Sequence, residues 1–223
     1  MKSMTVKVKH QSLVDQLTQS GAGSLRRVQD PLVQWFAWLA LTGLIMGGLI
    51  AGLKPRPDMA ENFQNPGFVL FVAFILLGSA LSAWGAVLSG IPGRGLALWQ
   101  KIFLAAALAG LVLVPWFLFP AAAADVDSGN LDDDYCFPLV LAIGLLPWAI
   151  LGLTLSKNAS FRPAVTGFWS GTSAFLMASG ALFVCCPCWT RGHLLTAHVL
   201  PVALASFTTA LLGSYWFSRW NKA

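Results

Sequence analysis

Charge is scarce in this sequence: only 10% of its 223 residues are Asp, Glu, Lys or Arg, while 57% are hydrophobic. A water-soluble fold of that composition would carry more apolar surface than it could hide, which excludes an ordinary soluble domain. No basic run is longer than Arg26-Arg27, so the net charge of +5 has no nucleic-acid patch behind it. The middles of the apolar segments contain no Asp, Glu, Lys or Arg. Pumps and transporters place ionisable groups there despite their cost, so an ion path through the chain, as in a metal exporter, is disfavoured. No clear fixed-period repeat is present either.

What is there is a series of apolar blocks, each of the length a helix needs to cross about 30 Å of hydrocarbon. They predict spans near Val33–Leu53, Gly67–Gly90, Ile102–Phe119, Phe137–Ser156, Ala164–Cys185 and His193–Phe217. The expected fold is an all-α bundle of six transmembrane helices. Residues 1–32 form a short N-terminal segment, residues 33–218 the membrane domain and residues 219–223 a tail. The first block is read as a retained helix, because its apolar core is too long for a signal peptide and no small-residue cleavage site follows. Lysine and arginine in short loops resist translocation. One side holds Lys2, Lys7, Lys9, Arg26, Arg27, Arg94, Lys101, Lys157, Arg162, Arg219 and Lys222, against Lys54, Arg56 and Arg191 on the other. Both termini are therefore expected in the cytoplasm of a bacterium, with the chain in its inner membrane.

Residues 1–32 are too few to bury a core of their own. Ser12 and Asp15 resemble a capping box, after which Leu13, Val14 and Leu17 share one side of a short helix, ended by the run Ser20-Gly21-Ala22-Gly23-Ser24. Such a helix either lies on the lipid surface or docks its apolar stripe in a groove of a cytoplasmic partner. Within the spans, Gly43-x-x-x-Gly47, Gly48-x-x-x-Gly52 and Gly167-x-x-x-Gly171 suit close helix packing inside the chain. Pro115, Pro147 and Pro201 are expected to kink or interrupt their helices. Trp35, Trp38, Trp99, Trp116, Trp216 and Trp220 fall near span ends, where indoles anchor at the headgroups.

The residues capable of chemistry gather on the predicted outer side. Cys136 opens span four, Cys185, Cys186 and Cys188 close span five, and His193 and His198 begin span six. The third loop adds Asp125, Asp127, Asp132, Asp133 and Asp134 without a basic residue, a cation-attracting rim. Outside the cytoplasm disulfides persist, and Cys136 could pair with a cysteine of the next helix end. The rival reading is a trap for a soft or borderline metal such as zinc or cadmium, bound transiently by Cys136, Cys186, Cys188 and His193. Cys186-Pro187-Cys188 is not the Cys-x-x-Cys knuckle of structural zinc sites. His193 and His198 are five residues apart, about 140° around a regular α-helix, and cannot chelate one ion from it. An enzyme reading is also open: a quinone-linked membrane thiol-disulfide oxidoreductase. Against it, the Cys-Cys and Cys-Pro-Cys spacings would close strained rings.

Cys136 with span four, Phe161-Arg162-Pro163, Cys186-Pro187, and His193-Leu194-Leu195 through His198-Val199-Leu200-Pro201-Val202 resemble the NrsF-like family of membrane anti-sigma factors. Gly52-Leu53-Lys54-Pro55-Arg56-Pro57-Asp58 with Asn65-Pro66 is similar to that family's first outer loop. Leu13-Val14-Asp15-Gln16-Leu17 with Arg26-Arg27 is similar to its N-terminal segment. The resemblance implies a six-helix inner-membrane protein, not an enzyme, that holds an extracytoplasmic-function sigma factor inactive. It implies release of that partner when the periplasm meets heavy metal or oxidative stress. The family's two characteristic outer cysteines correspond to Cys136 and Cys186; Cys185 and Cys188 are additions. Leu13, Val14, Leu17, Arg26 and Arg27 would then contact the sigma factor. The Gly21-Ala22-Gly23 spacing departs from the family.

Overall fold

A computed structural model of the chain describes residues 30–91, 93–121, 135–156, 162–188 and 190–220, the side chains of 216–220 excepted. The chain divides after Asp30 into an N-terminal segment and a helical unit that starts at Pro31. Leu13, Val14, Leu17, Arg26 and Arg27, and the aspartates of the third loop, lie outside the described residues. Among the described residues six helices are long and apolar enough to cross a membrane, so the protein is a multi-pass, all-helical membrane protein. They are α1 (Pro31–Leu53), α2 (Pro66–Ser89), α3 (Leu98–Leu118), α4 (Cys136–Leu155), α5 (Pro163–Cys185) and α6 (Leu200–Trp220). A single turn, Met59–Asn62, lies between α1 and α2. A turn, Arg191–His193, and a π-helical segment, Leu194–Val199, run directly into α6.

Local chemistry sets the helix starts. Asn65 caps α2, its Oδ1 accepting from the Gly67 N–H at 2.9 Å, with Pro66 at the first helical position where a missing N–H costs nothing. The start of α3 lies four residues before the expected Ile102. The Gln100 side chain accepts from the Ala97 N–H at 2.8 Å, so the helix gains a polar first turn that hydropathy alone does not mark. α3 and α4 run through Pro115 and Pro147 without interruption, contrary to one of the expectations for them.

α5 is the hub, packing against α1, α2, α4 and α6. In hydrocarbon there is no hydrophobic drive between helices, so small side chains and interhelical hydrogen bonds hold them. Ser79 and Ser173 exchange bonds between α2 and α5, each hydroxyl donating to the other's carbonyl, at 2.9 and 2.7 Å. Ser89 meets Thr166 at 3.0 Å, and Thr172 donates to Ser206 of α6 at 2.9 Å. Gly167 and Gly171 let α6 approach: a Cβ at Gly167 would strike the Thr209 backbone, and one at Gly171 the Thr209 side chain. Gly43, Gly47, Gly48 and Gly52 of α1 behave differently. Among the described residues a Cβ at any of them would meet nothing within 4 Å, so packing against those residues does not account for them.

Two tryptophans also depart from expectation. Trp38 is buried in the core and its indole donates to the Pro147 carbonyl, while Trp35 donates to the Ala80 carbonyl at 2.8 Å. Both hold α1 to its neighbours. Trp99 and Trp116 are exposed, as an interfacial role requires.

Candidate thiol and imidazole site

One end of the bundle collects the C-termini of α1, α3 and α5 and the N-termini of α2, α4 and the segment leading into α6. There Cys136, Cys186, His193 and His198 converge, their ligating atoms all within 4.8 Å of one another. The Cys136 and Cys186 sulfurs are 3.4 Å apart, and the Cys186 Sγ lies 3.2 Å from His193 Nε2. All four cysteines are free thiols in the structure. The hydrogen bond with the Cys136 sulfur, with burial beside it, pushes the Cys186 thiol up from its ordinary value.

The backbone explains why both histidines reach one point. A regular α-helix would set them on different faces, but Leu194–Val199 is π-helical, with the Leu200 N–H bonded to the Leu195 carbonyl. Five-residue periodicity stacks residues five apart. The rings of His193 and His198 accordingly lie with centroids 5.4 Å apart. Pro201 gives a local reason: it has no N–H to offer the Ala197 carbonyl, and its ring crowds that oxygen in a regular helix, so a widened turn before it relieves both. Thr190 caps the preceding turn, its hydroxyl accepting from the His193 N–H at 3.3 Å. The expectation that these two histidines cannot meet on one ion is therefore corrected, because its premise of a regular helix does not hold.

His198 is fully buried. Its Nδ1 lies 3.3 Å from the Ser179 carbonyl, which can only accept, so Nδ1 carries the proton. Nε2 then offers a lone pair, buried and without a hydrogen-bond partner among the described residues. Cys188 and Cys185 stand apart from the four. The Cys188 sulfur is 3.8 Å from the Thr190 hydroxyl, and its carbonyl faces the Cys186 sulfur at 3.5 Å. Cys185 is buried as the last residue of α5. Cys185 and Cys188 stand at the Cys-x-x-Cys spacing of thiol oxidoreductases, which corrects the expectation that the cysteines offer only Cys-Cys and Cys-Pro-Cys spacings; the thiol that meets Cys186 is Cys136, from a different helix.

Arg56, in the loop after α1, was not singled out for this role by its sequence context beyond the loop resemblance. It is buried, and it grips Asp58 with both Nε and Nη2, at 2.6 and 2.7 Å. Its Nη1 donates to the Cys186 carbonyl at 3.2 Å, and its backbone N–H to the Val184 carbonyl at 3.4 Å. The side-chain hydrogen bonds from Arg56 hold the Asp58 carboxyl below its usual range. Arg191 ties the other flank, donating its N–H to the Pro120 carbonyl at 2.8 Å and placing its guanidinium 5.0 Å from the Trp116 ring centre. Beneath the site, an apolar cavity of about 220 Å³ is walled by Phe71, Leu111, Phe168 and Phe207 together with Ser179 and His198.

A family model described as a negative regulator of sigma F matches residues 19–220. No curated protein and no solved structure matches the chain.

Proposed function

The chain belongs to the NrsF family of negative regulators of sigma F, and from that premise we propose that it is an inner-membrane anti-sigma factor whose outer thiols control its grip on an extracytoplasmic-function sigma factor. The family match over most of the chain carries this reading. The partner docks on the cytoplasmic N-terminal segment through Leu13, Val14 and Leu17, with Arg26 and Arg27 beside them. The distribution of lysine and arginine supports that orientation, with the site of Cys136 and Cys186 in the periplasm.

Heavy metal or oxidant acting on Cys136 and Cys186 is the input. Those residues belong to the ends of α4 and α5, so drawing the two sulfurs together, or apart, shifts how α4, α5 and α6 pack. Arg56 supports a route onward: it joins the Cys186 carbonyl to the loop that ends α1, and α1 is the helix that leads back to the N-terminal segment. A preference of a few kcal/mol between two packings suffices to release a partner. The role is signalling and not catalysis.

Cys136→Ser with Cys186→Ser should fix sigma-dependent transcription at one level whatever metal or oxidant is added. Leu13→Glu with Leu17→Glu should raise it constitutively. A normal response in the cysteine double variant would remove the thiol input; unchanged repression in the leucine variant would remove the docking helix.

The apolar cavity beside His198 favours one second reading, in which a lipid-soluble quinone oxidises the Cys136 and Cys186 thiols to a disulfide and leaves as the quinol. Purified reduced chain would then consume one equivalent of quinone. No consumption eliminates it.

A further inference from the structure

We infer that Cys136, Cys186, His193 and His198 form a closed four-coordinate site for a divalent cation of the zinc and cadmium class, with His198 and not Cys188 as the fourth ligand. Four observations converge. The first is the donor set: two thiols and two imidazoles are the ligands of tetrahedral structural zinc. The second is spacing. Bonds of about 2.0–2.3 Å in a tetrahedron set neighbouring ligand atoms roughly 3.5 Å apart. Here the two sulfurs are 3.4 Å apart, one sulfur and one imidazole nitrogen are 3.2 Å apart, and no pair exceeds 4.8 Å.

The third observation is the orphaned nitrogen. A buried polar atom without a partner is costly, and among the described residues His198 Nε2 has none. The opposite ring nitrogen is held by the Ser179 carbonyl, the outer-sphere bond that orients metal-bound histidines and fixes the tautomer with the free lone pair on the metal side. The fourth is the π-helical segment, which spends regular backbone geometry to bring His193 and His198 together. π-bulges of this kind concentrate at functional sites.

Burial makes the site closed. Cys136 is 1% exposed, Cys186 2% and His198 0%, which leaves only partly buried His193 toward the outside. A closed site holds its ion with no open position for a substrate, as structural sites do. Binding displaces the thiol protons, so affinity rises with pH. A disulfide between Cys136 and Cys186 uses up two of the four ligands, so metal and disulfide exclude one another. That makes the site an input that distinguishes a metal-filled state from an oxidised one.

The test is X-ray absorption on the purified full chain, reduced and loaded with zinc or cadmium alone. Expected is one ion per chain with two sulfur and two imidazole ligands. Three sulfurs, an oxygen-dominated shell, or no binding at stoichiometric metal would overturn the proposal. Variants sharpen it: His198→Ala should weaken zinc binding at least tenfold, whereas Cys188→Ser should leave it within twofold. The reverse ranking would place Cys188 in the site instead. The wild-type spectrum decides the matter even if a variant misfolds. Binding requires no sigma factor, so a chain that takes the cation but retains no sigma factor refutes only the regulatory reading. One that retains a sigma factor but takes no cation refutes only this one.

Discussion

α5 and α1 are both apolar, glycine-bearing helices of 23 residues, yet 72% of the apolar stretch of α5 is buried and only 17% of that of α1. α5 is sewn to α2 and α6 by serine and threonine hydroxyls, and its Gly167 and Gly171 sit against Thr209. Two indoles and an arginine tie α1 to its neighbours, and a Cβ added at Gly43, Gly47, Gly48 or Gly52 would meet nothing within 4 Å among the described residues. The same small-residue spacing thus serves a tight seam in one helix and an open face in the other. α5 also ends at the thiol site, whereas α1 joins the N-terminal segment. A firmly packed helix at the thiol site and a loosely packed one leading to the N-terminal segment is the arrangement that the relay proposed above requires.

The largest expected effect separates the two helices by their glycines. Gly171→Leu must push α6 away and should cost about 3 kcal/mol, seen as loss of folded chain in thermal unfolding in detergent. Gly47→Leu should stay within about 0.5 kcal/mol. Equal effects would break the comparison. Next comes Arg56→Ala, which leaves the Cys186 carbonyl and Asp58 without their charged donor and should cost about 2 kcal/mol. In cells it should abolish the response to cadmium while repression persists, since the thiols remain but their tie to α1 is cut.

A smaller effect is expected from Ser173→Ala, which removes half of the reciprocal pair with Ser79; about 0.6 kcal/mol is the usual scale for such bonds in membranes. The smallest concerns acid. Asp58 is depressed in the folded chain by Arg56, so its stabilising contribution is complete above the ordinary value of 3.8 and fades as pH falls below that. Thermal unfolding of wild type and Asp58→Asn should therefore converge on acidification through that range, and stay apart above it.

The six spans were readable because a hydrocarbon layer imposes one length on every apolar block, and boundaries fell within a few residues of the helices. Where α3 begins was less readable, since the Gln100 cap lies in a polar turn outside the apolar block. At the site, Cys136, Cys186 and His193 stood out by residue type and by falling at facing helix ends. His198 was set aside because a five-residue spacing fails on a regular helix; the only local hint of the π-helical turn was Pro201, three residues on. Arg56 is legible in the sequence only as an outer-side loop charge and as part of the first outer loop's resemblance. Its bond to the Cys186 carbonyl joins residues 130 apart, and no periodicity encodes such a contact. The glycine pattern of α1 misled for a related reason: spacing allows close approach but does not say which helix arrives.

The most direct measurement is capture on the intact chain, purified from membranes with whatever it holds, with bound proteins identified by mass spectrometry before and after cadmium is added. The account predicts that a sigma factor is retained, that cadmium releases it, and that Cys136→Ser with Cys186→Ser makes retention indifferent to cadmium. Absence of any sigma factor, or wild-type retention that cadmium does not change, would contradict it.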